Sequence, residues 1–248
     1  MKWFIGIAGM ALVALALTLS RQKDERKTVP AAKTSFAVLE LFTSEGCSSC
    51  PAAERLLPTL AADSNVIALS FHVDYWDRLG WKDRFSSAAY TERQQKYAGQ
   101  FKLESIYTPQ LVINGRYEIV GSNEASARKL IAQSLAETPA VQILADDVKT
   151  GGENVTVNYR LEGDLAHTQL LAALVQKTVE TAVKGGENSG KVLVHTNVVR
   201  SFTKQKALSS GQLILSLPKD LDPSKSLLIL YTQSDTDLHI TGGRAINL

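Results

Sequence analysis

Ser44-Glu45-Gly46-Cys47-Ser48-Ser49-Cys50-Pro51 reads SEGCSSCP and holds both cysteines of a chain of 248 residues. Immediately before it, SFAVLELF (35–42) is a short apolar run suited to a strand buried on both faces. Immediately after it, AAERLLPTLAAD places Leu56, Leu57 and Leu60 at helical spacing. The cysteines therefore fall at a strand-to-helix junction. Two thiols at this spacing can be a redox couple, half of a metal site or a small structural staple.

A staple is the weakest of the three. Closing a loop of about four residues gives only about 1.9 kcal/mol of chain entropy, against about 3 for a fifteen-residue loop. A closed zinc site needs four ligands, and the chain has no second cysteine pair to supply them. His72, His167, His195 and His239 are scattered, without the paired spacing of a zinc motif. A Cu(I) ion held by the two sulfurs, with His72 in support, is chemically sensible because Cu(I) prefers soft ligands. A redox couple suits the setting as well as the spacing. Unpaired N–H groups and the dipole at a helix N-terminus favour an anion, which lowers thiol pKa values. At pH 7 a thiol of pKa near 8.5 is about 3% thiolate, whereas one near 7 is about half. Cys47 gains most and is expected to be the more exposed, so it is the attacking thiol. Cys50, one turn further in, resolves the mixed disulfide. Ser48 and Ser49 can offer hydrogen bonds to sulfur, and Pro51 lies where its missing N–H costs little.

Further along, NVIALSFHV is a second buried strand, and a helix is expected across about 86–98. YTPQLVINGRYEIVG reads as two strands joined by Asn114-Gly115, a dipeptide whose turn positions both take positive φ. SNEASARKLIAQSLAE has a Ser or Asn cap, early acids and an apolar face, and is a helix. This order calls for an α/β domain, a mixed sheet flanked by helices on both faces, over 34–138. Beyond Pro139 the runs VQILADD, NVTVNYRLEG, TQLLAALVQKTV, KVLVHTNVVRSF, QLILSLP, SLLILYTQ and ITGGRAINL are short and punctuated by Gly, Ser and Pro turns. They predict an all-β, sandwich-like C-terminal domain of about seven antiparallel strands over 139–248.

Composition excludes some classes. With 44% hydrophobic and 21% charged residues the chain is globular rather than disordered. A net charge of +2 with no basic stripe leaves nucleic acid a poor partner. Trp3 to Leu19 is apolar or small and uncharged, and RQKDERK follows. Residues 1–20 are thus expected to be an export signal, with a small-x-small cleavage site at Ala14-Leu15-Ala16, or an uncleaved signal anchor. Residues 21–33 are then a linker. Arg21, Lys23, Arg26 and Lys27 beyond the apolar run complicate orientation. The expected location is exported: periplasmic, or membrane-anchored and facing the periplasm.

Pro109, in Tyr107-Thr108-Pro109, opens the first strand of the hairpin, where it cannot donate to the ladder. Strand, Cys-x-x-Cys, helix, strand, insertion, Thr-Pro, hairpin and helix together resemble the thioredoxin superfamily. The resemblance implies a cis-proline beside the cysteines that orients substrate backbone, which would be Pro109, with Tyr107 and Thr108 contributing to substrate binding. More closely, ELFTSEGCSSCP, HVDYWDRLGWKD, YTPQLVING and GENSGKVLVHTNVVR are similar to an uncharacterised family of exported bacterial proteins. Members carry a thioredoxin-like domain followed by a β-rich domain. One departure stands out: where thioredoxins hold a buried Asp as proton acceptor, this chain has Leu41. Glu40 is adjacent but faces the other side of the sheet. Glu40, Glu45, His72 and water are all candidates for proton transfer to Cys50.

Lesser candidates cluster after the second strand. His72 is either a proton shuttle or a satisfied core histidine. Trp76 and Trp81 are either an apolar platform for a peptide or a cover for the core edge. Gly185 to Gly190 is a hairpin loop. His195, Asn197 and Arg200 on the strand after it either reach the cysteines or decorate a sheet.

The sequence thus points to a thiol–disulfide oxidoreductase acting on protein or small-molecule thiols, with a redox partner protein, no dissociable cofactor and no dedicated metal ligands. A Cu(I) metallochaperone and a redox-silent adaptor are the alternatives.

Overall fold

Alternate residues of the first strand, β1 (Ala37–Thr43), face two different cores, and the architecture follows from that division. Val38 and Phe42 point to one side with Phe71, Tyr90 and Tyr97. Leu39 and Leu41 point to the other with Ala53, Leu57, Leu111 and Ile131. A strand buried on both faces needs cover on both, and helices supply it. In this computed structural model, which describes residues 34–248, α1 (Cys50–Leu60) and α3 (Glu124–Leu135) lie on the second side and α2 (Ala88–Phe101) on the first. The expected export segment and linker fall outside the described residues. No helix among the described residues is long and apolar enough to cross a membrane.

β1 pairs in parallel with β2 (Val66–His72) and antiparallel with β3 (Gln110–Ile113), which pairs antiparallel with β4 (Tyr117–Val120). The β3–β4 turn has Asn114 at φ 48° and Gly115 at φ 64°. Gly115 is needed on a second ground, since a Cβ there would lie 1.9 Å from the Leu238 carbonyl oxygen. Asn114 Oδ1 accepts from Val38 N at 2.7 Å, which ties the turn to β1. Helix α2 is capped by Ser87, and α3 by Asn123, whose side chain accepts from Ser126 N.

Seven strands follow residue 139, as their number and spacing suggested: β5 (Gln142–Gly151), β6 (Asn154–Glu162), β7 (Thr168–Ala182), β8 (Val192–Lys206), β9 (Ser210–Ser216), β10 (Ser226–Ser234) and β11 (Ile240–Asn247). They do not form a sandwich of their own. Four extend the first sheet into one of eight strands, ordered β11-β10-β7-β8-β2-β1-β3-β4. The other three form a sheet β5-β6-β9 that packs on β7 and β10 through Val155, Val157, Leu170, Leu174, Leu228 and Leu230. The fold is a mixed sheet with helices and a β-rich part, and both parts share the large sheet.

The seam between them is β2 against β8, which run parallel, not antiparallel, with a single Cα pairing at Ser70 and Val198. Side chains extend that short ladder. Ser70 Oγ donates to Thr196 O at 2.7 Å, and Asn197 Nδ2 donates to Ala68 O at 3.0 Å. Asn197 sits at φ 51°, a left-handed conformation that Asn tolerates better than most residues. It interrupts the alternation of β8, so Val198 and Val199 are both buried.

Candidate functional site

The chain leaves β1 at Thr43, turns through Ser44–Ser49 and enters α1 at Cys50. Cys47 and Cys50 form a disulfide across this turn. Cys47 N donates to Ser44 O at 3.2 Å, and Gly46 N to Ser44 Oγ at 3.1 Å, which fixes the approach. Ser49 is the N-cap residue but makes no side-chain capping bond; its Oγ lies 3.3 Å from Cys47 Sγ. Trp76 packs against Gly46, where a Cβ would be 3.2 Å from Trp76 Cβ. Its indole Nε1 donates to Thr108 Oγ1 at 2.8 Å. The following Thr108–Pro109 peptide is cis. Pro109, Ala53 of α1 and Leu41 of β1 converge on Gly121, whose missing side chain leaves them room. The cysteine turn, Trp76 and Thr108-Pro109 are therefore neighbours, although they lie far apart in sequence.

Cys47 was expected to be exposed, yet both cysteines have 0% exposure. The reason is the β7–β8 loop of the β-rich part. Its 3-10 turn (Gly186–Asn188) lies on the cysteine turn. Asn188 Nδ2 donates to Glu45 O at 2.9 Å and to Cys47 O at 2.8 Å, and Ser48 N donates to Glu187 Oε2 at 3.0 Å. Gly185 makes this cover possible, because a Cβ there would lie 2.4 Å from the Gly80 carbonyl oxygen. Gly185→Val is expected to loosen the cover by about 1–2 kcal/mol, the usual cost of overpacking, and to raise its open population about tenfold. Reduction of the disulfide by a phosphine, followed by alkylation and mass, should then run about tenfold faster. An unchanged rate would mean that the loop does not limit access to sulfur.

Behind the turn lies a buried cluster of two histidines and three carboxylates. His72, at the end of β2, has Nδ1 2.6 Å from Asp83 Oδ2. Asp83 also accepts from Glu45 N and Phe85 N, both at 2.9 Å. Burial opposes the charge on Asp83, but His72 and these N–H groups hold its pKa below the usual carboxylate value. His195, on β8, has Nδ1 2.9 Å from Glu54 Oε2 and Nε2 3.3 Å from Glu45 Oε1. Burial opposes a charge on His195 too, but Glu45 and Glu54 outweigh it and push its pKa up to about 10. Thr43 Oγ1 donates to Glu54 Oε1 at 2.6 Å, and Trp81 Nε1 to Glu45 Oε2 at 2.7 Å. The two imidazoles meet edge to face, with ring centroids 4.9 Å apart.

Of the residues singled out for proton transfer, Glu45 and His72 are in this cluster and Glu40 is not. Glu40 faces α2, where Arg93 holds both its oxygens. Trp76 and Trp81 are half-buried and their indole N–H groups are engaged at the site, so they border it rather than form an open platform. The Tyr107 hydroxyl donates to Glu118 Oε2 at 2.6 Å; burial and that carboxylate raise its pKa. Arg200 pairs with Asp220, and its guanidinium lies over Phe85, whose ring packs against both His72 and His195. Sequence reasoning missed Glu54, Asp83, Glu187 and Asn188, and left His195 undecided. Only Glu54 carried a signal: four residues after Cys50, it lies on the same helix face as Cys50 and Leu57.

Residues 38–233 match the family described as "Protein of unknown function (DUF1223)". The chain belongs to the DUF1223 family. The match runs from β1 into β10, so it takes in both parts of the large sheet and every residue of the cysteine turn and the buried cluster. Over 97 residues, 39% of this DUF1223 chain and 87% of the relative, it is 30% identical to a "Probable Thioredoxin" of Archaeoglobus fulgidus. A crystal structure of a protein from Agrobacterium tumefaciens has the same fold, with a TM-score of 0.67 and 24% identity over 87% of this chain and 96% of that one.

Proposed function

We propose that this DUF1223 chain is a thiol–disulfide oxidoreductase whose α/β part is thioredoxin-like, exported to the cell envelope through its N-terminal segment. The Cys47–Cys50 disulfide at the N-terminus of α1 carries the proposal. Likeness to a probable thioredoxin and the β1–β4 order support it. The reduced Cys47 thiolate attacks a substrate disulfide, forms a mixed disulfide and releases one substrate thiolate. Cys50 then attacks Cys47 sulfur and expels the second. Two electrons and two protons pass from the dithiol to substrate, and the reverse sequence oxidises a substrate dithiol. Pro109 and Thr108 border the groove in which substrate backbone would lie. The β7–β8 loop must lift for substrate to reach sulfur, so the β-rich part governs access.

The test is a redox titration of the purified soluble chain in glutathione buffers, read by alkylation and mass of Cys47 and Cys50. A reversible two-electron transition between about −270 and −120 mV is expected, and its midpoint sets the direction of flow. No reversible transition in that window would sink the proposal. Release of the thiols only after a chelator would favour a Cu(I) carrier instead.

A further inference from the structure

We propose that Glu54, His72 and His195 bind a divalent metal ion of the zinc type beneath the cysteine turn. The three come from α1, β2 and β8, are 3%, 0% and 0% exposed, and each offers a ligand atom within 4.8 Å of the others. A tetrahedral ion with ligands at about 2.0–2.2 Å sets them roughly 3.4 Å apart. Closing by up to about 1.4 Å is within the reach of side-chain adjustment.

The hydrogen bonding around the cluster points to a ligand. His72 Nδ1 is committed to Asp83, which leaves Nε2 as the free ring nitrogen, and that atom is buried without any partner. A buried polar atom left unpaired is costly and uncommon. A carboxylate on one imidazole nitrogen with the other aimed inward is the arrangement by which proteins orient a metal-binding histidine. Glu45 Oε1 lies 3.3 Å from His195 Nε2, on the opposite side of the ring from Glu54, and so orients this imidazole from behind as Asp83 orients His72. Thr43 holds the outer oxygen of Glu54, and Trp81 that of Glu45, leaving Glu54 Oε2 and Glu45 Oε1 turned toward His195.

Charge agrees with geometry. Glu45, Glu54 and Asp83 are all buried, and their ion-pair partners are the two imidazoles, with no Lys or Arg among them. A divalent ion would bring two positive charges to three buried carboxylates. Nitrogen and carboxylate ligands suit Zn(II) and Co(II), whereas Cu(I) would prefer the sulfurs. The site is independent of the cysteines and does not require them to turn over.

The test uses the full chain purified in chelator, then incubated with Zn(II) or Co(II) and desalted. One equivalent of metal by elemental analysis, a visible d–d absorption with Co(II) and a raised Tm with Zn(II) are expected. His72→Gln and His195→Gln should each weaken retention at least a hundredfold. Asp83→Asn, which removes no ligand, should weaken it about 10–100-fold. His239→Gln and the Cys47→Ser/Cys50→Ser pair should retain it. A wild-type chain that keeps no metal, shows no Co(II) absorption and gains no Tm overturns the proposal, leaving a proton as the only cation. Binding lost with the cysteines but kept in His72→Gln overturns it as well, and neither result bears on the redox titration.

Discussion

Arg93→Met is expected to cost about 3–5 kcal/mol of folding stability, the usual penalty for stranding a buried carboxylate. Glu40 is 0% exposed, and the Arg93 side chain is 11% exposed. Arg93 Nε and Nη2 each donate to a Glu40 oxygen at 2.9 Å, a bidentate pairing of the strong kind. Tyr231 donates to Glu40 Oε1 at 2.8 Å, and Tyr97 donates to Oε2. Gln233 Oε1 accepts from both Arg93 Nη1 and Nη2 at 3.3 Å. The guanidinium lies 5.1–5.7 Å from the ring centroids of Phe71, Tyr97, Phe202 and Tyr231. Burial opposes the charge on Arg93, but Glu40 outweighs it and raises its pKa further. Without Arg93, Glu40 keeps its hydroxyl donors but loses its counter-charge. Glu40→Leu/Arg93→Met should recover most of the loss, because an apolar pair of similar volume removes the stranded charge. Because the network links β1, α2 and β10, far- and near-ultraviolet signals should fall together in urea. A loss under about 1 kcal/mol, or a double variant no better than the single, would refute this account.

Much of this fold is legible because its signals are local. Asn114-Gly115 specifies its turn by φ alone, and Ser87 and Asn123 cap helices whose starts the sequence marks. The seven runs after 139 announce seven strands. Their partners are another matter. Alternation tells which face of a strand is buried, not which edge it joins, so nothing in KVLVHTNVVRSF announces pairing with NVIALSFHV. Only Val198 enters that ladder, and Ser70 and Asn197 complete it with side chains. The same limit governs the site. SEGCSSCP announces a cysteine pair at a strand-to-helix turn, but its burial depends on Glu187 and Asn188, about 140 residues away. Glu54 reads as a helix residue and His195 as one of four scattered histidines until a long-range contact across 141 positions joins them. Asn197 compounds this, because its left-handed backbone breaks the alternation from which facing would be counted.

Cys47→Ser should abolish thiol–disulfide exchange, leaving the uncatalysed background in an insulin-reduction or dithiol-oxidation assay, because the thiolate is the nucleophile and a serine hydroxyl does not ionise near neutral pH. Cys50→Ser should fail differently. Cys47 can still attack, but nothing resolves the mixed disulfide, so a substrate-sized mass adduct should accumulate on Cys47. Loss of fold does not explain either outcome, since the short loop closed by this disulfide is worth only about 1.9 kcal/mol by chain entropy. The split between the two variants is therefore the informative quantity. Adduct on Cys50→Ser and none on Cys47→Ser assigns attack to the first cysteine. The reverse pattern would place the nucleophile inside the helix and overturn the order of steps. Turnover unaffected in both would remove the exchange chemistry altogether, leaving the covered cysteine turn as a docking element under the β7–β8 loop.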